Sequence, residues 1–252
     1  MSEQPTAGMV IIGEEILGGR TQDTNLARLA KFLGPIGIAI REVRVVVDEV
    51  DEIAAAVNAL RSRYTFVFST GGIGPTHDDV TADGIARAFG VELKERADAL
   101  AILEAYYAEG DLNAARRRMA RIPGDASLIE NPVSAAPGFR LENVFTMAGV
   151  PKIVDGMLES IRPQLAGGPP LLSVSIRSNA LEAEISEGLE AMQNAMPDVR
   201  FGSYPFARSG RFGTRLVART TDRNRLAAAE EKIVALLQGL GKEYVREDPD
   251  AA

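Results

Sequence analysis

Along the chain, short apolar runs alternate with longer stretches in which apolar residues recur every three or four positions. This is the pattern of βαβ units wound around a mainly parallel sheet. Gly8 to Ile12 reads as a buried strand, and Thr24 to Leu33 as a helix that Asp23 or Thr24 caps and Gly34 stops. Ile38 to Val47 gives the next strand, and Asp48 opens a helix with Ile53, Val57 and Leu60 at helical spacing. Tyr64 to Phe68 is continuously apolar, as expected of a strand covered on both faces.

Val80 to Phe89 is predicted helical, as are Ala97 to Ala108 and Leu112 to Arg121. Asn143 to Met147 is a further strand, and Pro151 starts a helix at the position where proline fits best. The two glycines and two prolines of Ala166 to Pro170 sustain neither helix nor central strand, so the domain boundary falls there. The expected organisation is a three-layer αβα domain over residues 7–165 and a small βαββα module over residues 171–245. That module consists of strands Leu171 to Arg177, Arg200 to Phe206 and Arg211 to Thr220, with helices Leu181 to Met196 and Arg223 to Leu240.

Composition narrows the chemistry. With 252 residues the chain can bury a core without staples, and it contains no cysteine and one histidine. Disulfides, thiolate zinc sites, a cysteine nucleophile and multi-histidine metal centres are therefore excluded, and any metal must be held mainly by oxygen. No basic start precedes a long apolar stretch, and about eighteen uninterrupted apolar residues occur nowhere, so a cytoplasmic protein without membrane association is expected. A formal charge of -7 argues against non-specific nucleic-acid binding.

Two loops that leave strands carry unusual chemistry. One is Gly13-Glu14-Glu15-Ile16-Leu17-Gly18; the other runs from Thr70 to Thr81 and includes Gly71, Gly72, Gly74, Pro75, His77, Asp78 and Asp79. In a parallel sheet both emerge at the carboxyl ends, where open α/β sheets hold their ligands. Glycines let consecutive N–H groups face an anion, and the following helix adds the positive end of its dipole. Two aspartates beside a phosphate repel it unless a cation intervenes, so Asp78 and Asp79 point to Mg²⁺ or another divalent ion such as Mn²⁺ or Co²⁺. Glu14 or Glu15 can supply a further carboxylate or act as general base for water. Asn25 and Gln22 are candidate hydrogen-bonding partners, while Pro137-Gly138 and Gly149-Val150-Pro151 fit a pocket wall. His77 reads as a loop-surface residue. Arg116, Arg117, Arg118 and Arg121 cover more than one face of their helix, so at least part of the cluster is solvated; a solvated face is the first reading and phosphate contact the alternative.

In their order, GEEIL with TQDTN, TGGIGPTHDDVT, NPVSAAPGF and NVFTMAGVP resemble the molybdopterin-binding, molybdenum-cofactor-biosynthesis (MogA-like) domain family. The resemblance is strongest to its CinA-like branch and to the N-terminal domain of eukaryotic FAD synthases, and it covers roughly Ala7 to Pro163. It implies phosphate on Gly71, Gly72 and Gly74, a divalent cation near Asp78 or Asp79, and a homo-oligomer. It also implies one of three activities on a small phosphate-bearing ligand: cation-dependent hydrolysis of a dinucleotide pyrophosphate such as FAD or ADP-ribose, molybdopterin binding without turnover, or molybdopterin adenylylation. Lys152-Ile153 follows GVP where CinA-like proteins tend to have an acidic residue.

Overall fold

The computed structural model describes residues 4–208 and 211–247. The chain divides into two compact units between Gly168 and Pro169. In the first, β1 (Thr6–Ile12), β2 (Ala39–Val46), β3 (Phe66–Thr70) and β8 (Val144–Met147) pair in parallel. β6 (Ser127–Ile129) and β7 (Gly138–Leu141) extend the sheet antiparallel at one edge, giving the order β2-β1-β3-β8-β7-β6. The architecture is a three-layer αβα fold around a mainly parallel sheet.

Alternation along β1 builds the layers. Met9 and Ile11 join Phe68, Phe145 and the inner faces of α2 (Asn25–Leu33) and α7 (Pro151–Ile161) in one core. Val10 and Ile12 face the other way, against α3 (Val50–Arg61), α4 (Thr81–Phe89) and α5 (Ala97–Tyr106). Phe68 and Phe145 stack at 5.3 Å across the β3–β8 pair. The sheet is thus buried on both faces, which is why its central strands read as unbroken apolar runs.

Several elements depart from the sequence expectation. Helix Leu112 to Arg121 is only α6 (Ala114–Arg117) followed by a 3₁₀ turn at Arg118–Ala120. Arg121–Pro123 is instead strand β5, paired antiparallel with β4 (Leu93–Glu95), and Pro123 cannot continue a helix. β3 starts at Phe66 rather than Tyr64, because the Tyr64 amide closes the end of α3 on Leu60 O and its hydroxyl donates to Glu42. The α3 helix begins at Val50, with Asp48 outside it. The loop after β1 contains a one-turn helix, α1 (Glu14–Leu17).

In the second unit β9 (Leu172–Ser178), α8 (Glu182–Ala195), β10 (Arg200–Arg208), β11 (Arg211–Thr220) and α9 (Arg223–Gly239) are followed by an unanticipated strand, β12 (Tyr244–Glu247). The antiparallel order β10-β11-β9-β12 makes this a βαββαβ unit, not βαββα. Four residues carry too little period-two pattern to reveal β12, which exists because β9 offers it an open edge. Ile176, Leu216, Ile233 and Leu237 lie at the centre of the core under α8 and α9. Among the described residues no helix is long and apolar enough to cross a membrane.

Candidate functional site

β1, β2, β3 and β8 end on one side of the sheet. Connections after β1 and β3 leave toward opposite faces, which opens a crevice between them. There lies a cavity of about 550 Å³, lined by Gly13, Glu15, Asn25, Asp48, Thr70 to Pro75, Asp78, Asp79, Asn131, Gly149 and Pro151, among others.

The glycine loop is shaped by two left-handed residues, Gly71 at φ +104° and Gly72 at φ +63°. A Cβ on Gly71 would lie 2.2 Å from Ile12 O, so only glycine lets β3 turn this tightly against β1. Gly71 N–H is committed to Met147 O at 3.2 Å, and Thr81 N–H closes on Gly72 O at 3.0 Å. Gly72, Ile73 and Gly74 line the cavity, and their N–H groups have no acceptor among the described residues. The unpaired amides of the loop are therefore those of Gly72 to Gly74, and Gly71 serves the turn instead. Thr81 holds the loop from behind: it is fully buried, donating its hydroxyl to Gly71 O at 2.9 Å, and does not face the cavity.

The two aspartates separate in role. Asp79 Oδ2 accepts Thr76 N–H at 2.8 Å and also the Thr76 hydroxyl, which stabilises the turn before α4. Asp78 is 66% exposed at the cavity rim. His77 is 98% exposed, a loop-surface position.

Of the two glutamates after β1, Glu15 faces the cavity, its carboxylate folded back over Gly13. Glu14 contributes its backbone, donating N–H to Asp48 Oδ2 at 2.9 Å. Asp48, read from sequence only as a helix start, is thus a site residue at the end of β2. Burial pushes its carboxyl above the ordinary value, opposed by the Glu14 N–H and reinforced by the charges of Glu15, Asp78 and Glu14.

On the opposite wall Asn25 is 5% exposed and donates Nδ2–H to Gly149 O at 2.8 Å, while its Oδ1 is buried without a partner. Thr70 Oγ1 is likewise buried and unpartnered. Unmatched buried polar atoms cost roughly 1–3 kcal/mol each, so two beside one cavity fit a ligand that completes them. Gln22 and Pro151 also line this wall. Pro137 borders a smaller neighbouring cavity instead, and Gly138 lies within β7, where a Cβ would meet Thr146 O at 2.4 Å. Gly138 is therefore a strand-packing residue, not a ligand contact.

Asn131 was missed as a site residue by sequence reasoning. Its Oδ1 accepts Val133 and Ser134 N–H, while Nδ2 donates to Ser134 Oγ and Ala136 O, folding the NPVSA segment into the cavity wall. An Asn-Pro dipeptide after a strand was the available signal.

Fold and loop together define the class: an open α/β protein with a glycine loop of unpaired amides at its topological switch point. Comparison with known proteins identifies the family. Residues 8–167 match the family described as a probable molybdopterin binding domain, and residues 170–245 match the middle domain of FAD synthase. The chain belongs to the molybdopterin-binding domain family. It is 38% identical over 163 residues to the protein Ta0487 of Thermoplasma acidophilum, covering 63% of this chain and 64% of that one. It is 29% identical to a probable FAD synthase of Caenorhabditis elegans over 95% of this chain and 51% of that one. A crystal structure of the protein CinA, of unknown function, from Thermoplasma acidophilum matches with TM-score 0.59 and 37% identity over 63% of this chain and 98% of that one. The chain thus spans less than two thirds of the length of these two sequence relatives.

Proposed function

We propose that the first unit hydrolyses the pyrophosphate of a dinucleotide such as FAD or ADP-ribose, with the phosphates on the Gly72, Ile73 and Gly74 amides. The observation that carries this reading is the meeting of unpaired loop amides with three carboxylates, Glu15, Asp48 and Asp78, around one cavity. A volume of about 550 Å³ suits a ligand of this size. Glu15 holds a water and takes its proton as the water oxygen bonds to phosphorus. The bridging P–O bond breaks, and two phosphate monoesters leave, AMP being one of them.

Among the described residues no group of three or more histidine, cysteine, aspartate or glutamate side chains can hold a metal ion by itself. The oxygen donors Asp48 and Asp78 fit a hard cation shared with ligand phosphates and water, the usual way in which Mg²⁺ is held. Such an ion, when bound, supplies positive charge against the phosphates. Asp48 and Asp78 then set where that charge sits, and Asn25 and Thr70 orient the organic part of the ligand.

The test is AMP release from FAD and from ADP-ribose with Mg²⁺, Mn²⁺ or Co²⁺, and with EDTA as control. Metal-dependent release that falls at least a hundredfold in Asp78→Ala and Asp48→Asn is expected; full turnover in both variants would sink the carboxylate roles. A second reading, favoured by the family match over residues 8–167, is binding of a pterin phosphate without turnover. Tight pterin binding with no AMP release from either dinucleotide would select it.

A further inference from the structure

The large cavity is lined by five carboxylates, Glu15, Asp23, Asp48, Asp78 and Asp79, and by no lysine or arginine. Even with a divalent ion in place, such a lining is a poor host for a phosphate, so a fixed positive charge close to the loop is needed. The arginine cluster that runs from α6 into β5 offers four. Arg116 donates to Asp111 O and stacks on Tyr107, Arg117 pairs with Glu95, and Arg121 grips Asp83 through two hydrogen bonds. Three of the four are thus committed elsewhere.

Arg118 differs from them. Among the described residues it has no acidic partner, and its Nε is buried without a hydrogen-bond acceptor. It opens the 3₁₀ turn Arg118–Ala120, which interrupts the helix. It borders a second cavity of about 20 Å³ whose wall includes Gly72, Ile73, Gly74 and Asp79, the same loop that bounds the large cavity. That volume holds a single water and no phosphate, so this crevice is no separate ligand site. Its Nε is buried, no part of the guanidinium has a partner among the described residues, and a phosphate on these loop amides would give it one.

We propose that Arg118 is an anion-binding residue of this site, supplying the fixed positive charge that holds a ligand phosphate on the Gly72 to Gly74 amides. The inference rests on the phosphate site proposed above but not on hydrolysis, and it assigns to one arginine a role that its three neighbours cannot take. A guanidinium suits the task because it stays charged at all working pH values and presents several donors in a fixed plane.

The test is calorimetric titration of the full chain with inorganic pyrophosphate in EDTA, comparing wild type with Arg118→Gln, Arg118→Lys and Arg116→Gln. A charge-assisted hydrogen bond lost to glutamine predicts a roughly ten- to hundredfold weaker Kd for Arg118→Gln. Arg118→Lys, which keeps the charge and loses Nε, falls in between, and Arg116→Gln matches wild type. Melting temperatures identify any variant that fails to fold, and if Arg118→Gln does, a several-fold loss in Arg118→Lys is the expected result. Wild-type affinity in a folded Arg118→Gln or in Arg118→Lys overturns the proposal. So does an equal loss in Arg116→Gln, which would mean a general field effect, or the absence of pyrophosphate binding by wild type. Arg118-dependent binding without AMP release from any dinucleotide would retire the hydrolysis reading and leave this one standing.

Discussion

Replacing Gly71 by alanine tests the steric logic of the site directly. Gly71 sits at φ +104°, and its added Cβ would lie 2.2 Å from Ile12 O, well over 1 Å inside ordinary contact. The obstacle is backbone at the end of β1, held by Gly13 N–H on Val46 O and by the Ile11–Thr70 register, so no side chain can swing aside. A left-handed alanine costs roughly 1–2 kcal/mol, and overpacking that moves backbone adds about 1–3 kcal/mol. The sum is roughly 2–5 kcal/mol. Gly90→Ala is the matched control: Gly90 is also left-handed, φ +66°, but its Cβ meets nothing within 4 Å, so only the first cost applies. Urea unfolding followed by far-UV circular dichroism should place Gly71→Ala at least about 1 kcal/mol below Gly90→Ala in stability. Equal stabilities would refute the close approach of the glycine loop to β1.

Asp48→Asn is expected to raise the melting temperature without added metal, because Asp48 is half-buried and faces other carboxylates. Its carboxyl is pushed above the ordinary 3.8, so the stability it contributes is present at acidic pH and lost as pH rises through the raised value; the variant's advantage should grow over that interval. A variant less stable than wild type at pH 7 would contradict this. Tyr64 donates to Glu42 at 2.8 Å, which raises its phenol above the ordinary 10.0, and one tyrosine in an absorbance titration should move down in Glu42→Gln. The stability associated with Tyr64 is present below that range and is lost as pH rises through it. Asp222 Oδ1 accepts Asn224 and Arg225 N–H at the start of α9, so Asp222→Ala should cost about 1 kcal/mol, read from thermal unfolding.

Much of the first unit was legible because burial on both faces leaves continuous apolar runs such as Phe66-Val67-Phe68, and amphipathic helices such as α2 and α4 leave a clear period. Short antiparallel elements were not legible. β4, β5 and β12 have three or four residues each and are strands only because a partner lies alongside. Reading Leu112 to Arg121 as one helix failed for this reason, since Arg121–Pro123 gains more from pairing with β4 than from another helical turn.

The site shows the same division. Local sequence alone marked the glycine loop, because Gly71 and Gly72 must adopt left-handed backbone that other residues resist, and it marked paired acids whose proximity is guaranteed by adjacency. Choosing among equivalent residues required the tertiary structure: Glu15 over Glu14 on the cavity wall, Asp78 at the rim while Asp79 holds a turn, Gly72 to Gly74 amides left unpaired while Gly71 is spent on Met147, and Arg118 left without a partner where its three neighbours have one. Asp48 lies 34 positions from Glu14 and depends on β1 and β2 ending side by side. Backbone conformation and apolar periodicity are properties of neighbours in sequence, so sequence determined them; hydrogen-bond partners and charge environments are properties of neighbours in space, so only the packed sheet decided them.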